Sequence, residues 1–286
     1  MSIYIGLDIG GTKILVAAAG EKGELIRETR EETPADLHEG IDSLNRMIAE
    51  IRRDEDIIAI GAAIGGPLDW KTGVVSPLHQ PQWRNVPLKQ IMEQEWQRPF
   101  FVDVDTNVAA LAEYRFGRTK AEKLFYMTVS TGIGGGYVMD GALYRGMGGA
   151  HPEVGHQCIT YRCRFPERIS CECGATNCLE GLVSGNGIRR VYGQAAENLD
   201  EDYWKEVTYN LGQGLRNIAA IYLPDVIVLG GGVSVGGGDK LIADIQNIMQ
   251  ENLKIVPVPR VVLSELGYHT ALLGAVALAM QQTTSD

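Results

Sequence analysis

The sequence predicts an α/β protein of two lobes that share one topology. A strand, a glycine-rich turn, two further strands, a helix and another strand follow one another twice along the chain, which indicates a duplicated core. The 286 residues are close to the length at which one hydrophobic core divides into two. Each lobe has glycine turns that can approach a ligand closely, so we expect a binding cleft between the lobes.

The first lobe is predicted over 1–117, joined by a C-terminal helix at about 271–286. Its predicted strands are apolar runs at 3–8, 14–19, 24–29, 57–64 and 99–105. An amphipathic helix is predicted by an apolar stripe at alternating spacings of four and three, formed by Leu37, Ile41, Leu44, Ile48 and Ile51. A second helix is predicted over 107–116, with Thr106 as its N-cap.

The second lobe is predicted over 118–270 and repeats the pattern of the first. Its predicted strands are at 124–130, 137–139, 142–144, 226–229 and 261–263. The remaining predicted helices, including the one that closes the chain, are at 188–196, 204–222, 241–249 and 271–280.

The composition predicts an enzyme of the cytoplasm and opposes a nucleic-acid or membrane partner. A formal net charge of -10 is unfavourable for nucleic-acid binding, which needs a basic face that displaces counterions from phosphates. The N-terminal sequence lacks the basic segment and apolar core of a secretory signal. No apolar run reaches the ~18 residues that span a bilayer.

The sequence Asp-Ile-Gly-Gly-Thr-Lys after the first strand is a candidate phosphate site. Gly10 and Gly11 have no Cβ atoms, so backbone N–H groups can face an anion there. Thr12 can donate a hydroxyl and Lys13 contributes a positive charge. Asp8, at the end of the strand, can hold Mg²⁺ through water. The alternative is an ordinary β-hairpin with a Gly-Gly turn.

Two further glycine clusters follow strands of the second lobe. A second candidate phosphate loop is the predicted turn at 131–136, with Thr131, Gly132, Gly134 and Gly135. Two such loops in two lobes could clamp the phosphates of one nucleotide, whereas the alternative is a bulged hairpin. Gly230 and Gly231 let the backbone approach an adenine or a ribose, or else they form a simple strand-to-helix turn.

Two aspartates at the end of the strand 99–105 are candidate general bases. Asp105 is expected to face the cleft, where it can accept the proton of a substrate hydroxyl during phosphoryl transfer. Asp103 lies two residues earlier on the same face of the strand, so it is a rival. The alternative role for either aspartate is to cap the helix that follows.

All five cysteines fall within 158–178, just after the pair Glu153-x-x-His156. In a reducing compartment such clustering favours a metal site over disulfides. The predicted structural zinc ligands are His156, Cys171, Cys173 and Cys178, with Cys158 and Cys163 as alternative ligands. If one nitrogen of His156 binds zinc, the other can hydrogen-bond a substrate. Glu153 and Glu180 can then accept substrate hydroxyls, the alternative being two solvated surface acids.

These motifs together resemble the ROK family (repressor, open reading frame, kinase), which belongs to the actin-like ATPase superfold. The resemblance covers nearly the whole chain and rests on DIGGTK, STGIGGG, Glu153-x-x-His156 and CECGATNCLEG. It implies a two-lobed, ribonuclease H-like fold with a duplicated βββαβα core and an interlobe cleft. It also implies an ATP-dependent sugar kinase that assembles as a homo-oligomer, a dimer or a tetramer.

The resemblance assigns roles to particular residues. It implies that Asp105 is the general base, that 10–13 and 131–135 bind phosphates, and that zinc has the four ligands named above. The sugar contacts that it implies are Gly66, Asp105, Glu153, His156 and Glu180. The sequence His151-Pro152 before Glu153 is similar to the fructokinase branch of the family.

The sequence therefore predicts transfer of the γ-phosphate of ATP, with Mg²⁺, to the 6-hydroxyl of glucose. Fructose, mannose and N-acetylmannosamine are alternative acceptors and polyphosphate is an alternative donor, because specificity rests on a few hydrogen bonds. A sugar-sensing repressor would need an N-terminal helix-turn-helix domain, for which the first strand at Ile3 leaves no room. An actin-like scaffold would not need Glu153-x-x-His156 beside a zinc set. A catalytically silent sugar-binding protein is a further alternative, and it would show no phosphoryl transfer in a coupled assay.

Overall fold

The computed structural model describes residues 2–283 and has the mixed α/β architecture that the sequence predicts. Its internal contacts define two compact units. Within the described residues, unit 1 comprises 2–116, 147–150 and 268–283, and unit 2 comprises 117–146 and 151–267. The predicted lobes include residues 1 and 284–286, which lie outside the described residues.

Strands and helices alternate along both units. The strands are β1 (Ser2–Ile9), β2 (Lys13–Ala19), β3 (Leu25–Glu32), β4 (Asp56–Ile64), β5 (Leu68–Asp69), β6 (Val74–Val75), β7 (Val86–Pro87), β8 (Phe100–Val104), β9 (Lys123–Val129), β10 (Ile133–Met139), β11 (Ala142–Leu143), β12 (Val226–Gly230) and β13 (Arg260–Leu263). The helices are α1 (Leu37–Arg52), α2 (Leu88–Trp96), α3 (Asp105–Phe116), α4 (Leu179–Val183), α5 (Gly185–Tyr192), α6 (Glu201–Tyr222), α7 (Gly232–Asn252) and α8 (Thr270–Thr283). Among residues 2–283, no helix combines the length and the apolarity that crossing a membrane requires.

Unit 1 is built on a five-stranded sheet of order β3-β2-β1-β4-β8. The first three strands pair antiparallel, whereas β1, β4 and β8 pair parallel. Helix α1 begins at the N-cap Asp36, whose carboxylate accepts the N–H groups of His38 at 2.8 Å and Glu39 at 3.1 Å. Its buried face packs on the apolar core of the sheet, as the stripe of leucines and isoleucines predicts.

Unit 2 repeats this arrangement with a sheet of order β11-β10-β9-β12-β13. Strands β9, β10 and β11 pair antiparallel, whereas β9, β12 and β13 pair parallel. Helices α6 and α7 pack against each other, and α6 contributes Val207, Leu211, Leu215 and Ile218 to the hydrophobic core. The two sheets thus share the duplicated topology that the sequence predicts.

The predicted start of α3 at Asn107, with Thr106 as N-cap, is wrong. Strand β8 ends at Val104 and the helix begins at Asp105. Thr106 does not cap the helix, because its buried hydroxyl makes no hydrogen bond within the described residues. The Asp103 carboxylate accepts both the Val104 N–H at 2.7 Å and the Asn107 side-chain amide at 3.0 Å. The chain therefore turns from strand to helix within one residue.

The predicted glycine turn at 131–136 is shorter than expected. Strand β10 begins at Ile133, and Gly134 and Gly135 pair with Thr128 and Met127 of β9. A Cβ atom on Gly135 would lie 2.7 Å from a methyl group of Val154. Glycine at this position therefore serves close packing in a strand, and only the residues before Ile133 form the turn.

Several elements differ from the sequence prediction for local reasons. Helix α5 ends at Tyr192, not at 196, because Gly193 adopts a left-handed conformation with φ 73°. The element α7 is broken at Gly238, whose φ of 60° is not helical, so the predicted helix at 241–249 lies in the part after the break. The glycine-rich part before the break was not predicted, because glycine has low helix propensity. Helix α2, helix α4 and the small sheet of β5, β6 and β7 were not predicted.

Glycine at position 61 of β4 allows α8 to lie directly on the sheet. A Cβ atom there would lie 1.9 Å from the Ala275 carbonyl oxygen. We expect Gly61→Ala to lower the free energy of unfolding by about 1–3 kcal/mol, because the helix would have to shift. Urea unfolding measures this change. Gly65→Ala is the matched control, since nothing lies within 4 Å of its Cβ position, and equal stability of the two variants would contradict the packing argument.

Candidate active site

The turn between β1 and β2 is fixed by its own backbone and by Thr33. The Gly10 N–H donates to the Lys13 carbonyl at 3.0 Å, and the Thr33 hydroxyl donates to the Gly10 carbonyl at 2.6 Å. The Thr33 N–H also donates to the Thr12 carbonyl at 3.1 Å. The tip of the turn, Gly11 and Thr12, is nevertheless exposed. A fixed turn with an exposed tip is the arrangement that binds an anion through backbone N–H groups.

Asp8, near the end of β1, is held in an unusual protonation state. Burial is the main cause that raises its pKa to about 7, and the negative charge of Asp105 adds to the effect. The positive charge of Lys13 lowers the pKa of Asp8 and so opposes both causes. Asp105 and Lys13 therefore both lie within electrostatic reach of Asp8. Two carboxylates that repel each other suit a hard divalent cation with oxygen ligands, so the donor set fits Mg²⁺.

The structure separates the two aspartates of the β8–α3 corner. Asp103 is buried, and its carboxylate is engaged by the backbone and by Asn107, so it stabilises the corner. Asp105 is exposed at the first turn of α3, where its carboxylate accepts the Thr106 N–H at 2.7 Å. A carboxylate at this end of a helix is stabilised by the N–H groups of the first turn. Of the two rivals, Asp105 is the one that can meet a substrate.

Gly66 lies on the loop that follows β4. It is partly exposed, and its carbonyl accepts the Leu78 N–H at 3.1 Å. The next peptide bond, to Pro67, is cis. Unit 1 therefore brings Lys13 and Asp105 within electrostatic reach of Asp8. Gly66 lies on a separate loop at the end of the neighbouring strand.

The turn between β9 and β10 is held by the first two residues of α5. Within the turn, the Ser130 N–H donates to the Gly132 carbonyl at 2.9 Å. From outside, the Gly185 N–H donates to the Ser130 carbonyl at 2.6 Å and the Asn186 N–H to the Thr131 carbonyl at 3.2 Å. The backbone direction of this second candidate phosphate turn is therefore fixed by unit 2 itself.

A cavity of about 430 Å³ opens beside this turn. Its lining includes Thr131, Gly232, Gly236, Arg189, Glu197 and Trp204. The volume is that of a typical small-molecule site, and the lining combines an aromatic ring with polar groups. Gly230 and Gly231 are closely packed, because Cβ atoms there would lie 2.3 Å from the Tyr126 hydroxyl and 2.4 Å from the Val129 carbonyl. Their predicted approach to an adenine or a ribose stays a prediction.

The four predicted zinc ligands form one cluster, whose donor atoms all lie within 4.8 Å of one another. Nδ1 of His156 lies 3.5 Å from Sγ of Cys171 and 3.7 Å from Sγ of Cys178. Zinc–sulfur bonds of about 2.3 Å and zinc–nitrogen bonds of about 2.1 Å place tetrahedral ligands about 4 Å apart, so the set fits zinc. The alternative ligands Cys158 and Cys163 are not in this cluster of described residues.

The thiols of the cluster differ in pKa. Burial is the main cause that raises the pKa of the Cys171 and Cys178 thiols, whereas a backbone N–H lowers the pKa of Cys173. Thiols that resist ionisation alone become thiolate ligands when a cation is present. Glu153 remains ionised, because a hydrogen bond from His151 at 3.2 Å lowers its pKa.

The Glu180 carboxylate, in the first turn of α4, has contacts within unit 2. Oε2 accepts the Ile133 N–H at 2.8 Å. Oε1 accepts the Cys171 thiol at 3.7 Å. Glu180 is thus partly buried between the zinc cluster and the second glycine turn, and it is not a solvated surface acid.

The duplicated sheet with parallel strands that end at glycine turns defines the class of protein. This is the actin-like ATPase fold, and a crystal structure of a ROK family glucokinase from Streptomyces griseus, in complex with glucose and AMPPNP, superposes on the chain with a TM-score of 0.77. That comparison covers 98% of this chain and 99% of the other at 28% identity. The predicted fold class is therefore confirmed.

Sequence comparison identifies the family. The sequence profile of the ROK family matches residues 4–282, so the chain belongs to the ROK family. It is 29% identical to a glucokinase of Halalkalibacterium halodurans, over 99% of this chain and 96% of the relative. It is also 31% identical to a fructokinase of Lactococcus lactis subsp. cremoris, over 82% of this chain and 80% of the relative.

Some residues near the candidate site were not singled out from the sequence. Trp204 fits the apolar stripe of α6, which predicts a core position, yet it lines the cavity. Tyr268 precedes α8, and its ring centroid lies 4.6 Å from Nζ of Lys13. Asn186 and Glu197 carry no motif. Only long-range contacts place these side chains, so no local pattern could have identified them.

The pKa of Asp8 predicts a pH dependence of stability in the absence of Mg²⁺. Because the folded-state pKa of about 7 exceeds the ordinary 3.8, the folded protein keeps a proton that the unfolded chain releases. This contribution is complete below about pH 4 and is lost as pH rises through about 7. Between pH 5 and pH 8 the wild type should lose on the order of 2–3 kcal/mol relative to Asp8→Asn, which cannot ionise.

Chemical denaturation in EDTA at several pH values measures the difference between the two proteins, so that other titrating groups cancel. In Asp105→Asn the pH dependence should be weaker but still present, because burial outweighs the charge of Asp105. If the stability of wild type and of Asp8→Asn changes with pH in the same way, the pKa of Asp8 is not raised.

Proposed function

We propose that the chain is an ATP-dependent hexose kinase, of the cytoplasm, that transfers the γ-phosphate to the 6-hydroxyl of glucose. The single observation that carries the proposal is the exposed Asp105 carboxylate, which lies, like Lys13, within electrostatic reach of Asp8. A general base, a cation site and a phosphate ligand are the parts that phosphoryl transfer requires. Membership of the ROK family and the glucokinase relative support this activity.

In this proposal Asp105 accepts the proton of the sugar hydroxyl as the phosphorus–oxygen bond forms. Its exposure supports the role, and the engagement of Asp103 by Asn107 argues against the rival. Asp8 would hold Mg²⁺ through water, and this cation supplies positive charge to the β- and γ-phosphate oxygens. Lys13 adds a second positive charge on the same side of the phosphates.

Each unit has a glycine turn that would bind the phosphates of a nucleotide. Gly10, Gly11 and Thr12 would bind phosphate in unit 1, and Thr131 and Gly132 in unit 2. The cavity beside Thr131 is large enough for a nucleoside, with the Trp204 ring as one wall. ATP as donor is supported by the AMPPNP complex of the Streptomyces griseus relative.

The sugar would meet the acidic residues and the histidine that flank the cysteines. Because Nδ1 of His156 faces the thiols, Nε2 is the atom left to hydrogen-bond a sugar hydroxyl. Glu153, Glu180 and Gly66 would complete the contacts. Zinc would be held by His156 and the three cysteines, and its chemistry there is structural, because four protein ligands leave no open position.

Fructose is the second candidate acceptor. The fructokinase relative is 31% identical, and the sequence His151-Pro152 before Glu153 is similar to that branch. The hydrogen bond from His151 to Glu153 would then be part of acceptor selection. A panel of glucose, fructose, mannose and N-acetylmannosamine, each with ATP and with polyphosphate in a coupled assay, tests donor and acceptor together.

Replacement of the proposed base gives a direct test. Asp105→Asn should lower kcat by about 10²–10⁴-fold, because the amide cannot accept the proton. The coupled assay with glucose and ATP measures the rate, and thermal unfolding verifies the fold. Asp103→Asn is the matched control and should affect stability more than kcat. Turnover of Asp105→Asn near that of the wild type, with the fold intact, would overturn the assignment.

The zinc and sugar roles can be separated by two variants. His156→Ala should lose zinc and sugar affinity together, because the imidazole serves both. Glu153→Gln should raise the KM for glucose by about tenfold with zinc retained, because it lacks the charged acceptor. Atomic absorption measures zinc on the samples used for kinetics. Full zinc content in His156→Ala, or zinc loss in Glu153→Gln, would contradict this division.

A further inference from the structure

The residues from Glu180 in α4 to Asn186 in the first turn of α5 make three hydrogen bonds to the second glycine turn and the residue after it. The Gly185 N–H donates to the Ser130 carbonyl, and the Asn186 N–H donates to the Thr131 carbonyl, at 2.6 and 3.2 Å. On the other side of the turn, Glu180 accepts the Ile133 N–H at 2.8 Å. The turn is thus held on both flanks by residues that follow the last zinc ligand closely in sequence.

Glu180 is the charged part of this support. A Cβ atom on Gly132 would lie 3.0 Å from Oε2 of Glu180, so the carboxylate lies directly against the turn. Its other oxygen accepts the thiol of Cys171 at 3.7 Å. A single side chain therefore contacts both the zinc cluster and the first residue of β10.

We propose that Glu180 is a positioning residue for the nucleotide, because it holds the Ser130–Gly132 turn in the geometry that binds phosphate. The inference rests on the proposed function in one respect, that this turn binds the phosphates of ATP. It goes beyond a sugar contact for Glu180, because the effect on the nucleotide does not require a sugar.

The physical reason is the weakness of a glycine turn without outside support. Backbone N–H groups bind phosphate well only when their directions are fixed before the ligand arrives. Glycine loses more conformational freedom on ordering than any other residue, so a free Gly132 would oppose that order. A hydrogen bond to a carboxylate is stronger than one between neutral groups, and Glu180 supplies such a bond at Ile133.

The experiment is calorimetric titration of the full chain with Mg²⁺–AMPPNP in the absence of any sugar. Glu180→Ala should weaken nucleotide binding by about tenfold, the usual effect of a lost charged hydrogen bond. Glu180→Asp should weaken it similarly, because the shorter side chain withdraws from the Ile133 N–H. Glu180→Gln should stay within about threefold of wild type, since its amide oxygen can still accept that N–H.

Glu172→Ala is the matched control, because it removes an exposed carboxylate from the same loop, and its nucleotide affinity should equal that of the wild type. Zinc content and unfolding temperature are measured for each variant. If Glu180→Ala does not fold, the comparison of Glu180→Asp with Glu180→Gln decides the outcome.

Wild-type AMPPNP affinity in both Glu180→Ala and Glu180→Asp, with loss of glucose affinity alone, would overturn the inference and leave Glu180 as a sugar contact. Failure of the wild type to bind AMPPNP would also overturn it. A wild type that binds AMPPNP but phosphorylates no hexose would refute the proposed function, while the order of the Glu180 variants would still stand as a test of positioning.

Discussion

The parallel pairing of β1, β4 and β8 is the constraint on which the candidate site of unit 1 depends. In this register Ile9 is opposite Ile64, and Ile64 is opposite Val104, so the three strands end at the same edge of the sheet. Whatever follows each strand must therefore lie close together. The first glycine turn and Asp105 follow two of these strand ends directly, and the loop with Gly66 follows the third.

The same edge carries an electrostatic cost. Asp8 and Asp105 raise the free energy of the ionised state together, and burial of Asp8 adds to it. Perturbed carboxylates gather at sites where a bound ligand balances their charges, so this edge is a candidate for such a site.

The sequence predicted those parts of the site that short spacings encode. The turn at Gly10 is formed by residues that are adjacent in sequence. The cluster residues Cys171, Cys173 and Cys178 are also close in sequence, and His156 precedes them. The strand position of Gly135 could not be predicted, because Val154, against which it packs closely, is distant in sequence.

Other parts of the structure depend on propensity or on contacts between distant residues. The glycine-rich first part of α7 was not predicted, because the low helix propensity of glycine opposes a helix there. The start of α3 was not predicted, because the hydrogen bonds of the Asp103 carboxylate at this corner cannot be read from the sequence. The cavity residue Trp204 was indistinguishable from a core residue of its helix. Sequence alone thus predicts the Cys/His cluster better than the residues that line the cavity beside the second glycine turn.

The zinc cluster also has a structural consequence for its neighbourhood. Helix α4 has 5 residues, too few to be stable without tertiary support. Cys178 is its N-cap, so a metal bound to this thiolate would fix the first turn of α4, where Glu180 lies. Ser184 ends α4 and caps α5, so order imposed at Cys178 by a bound metal would extend to Gly185 and Asn186. A metal without an open position would then act on the second glycine turn through the helix that begins at Cys178.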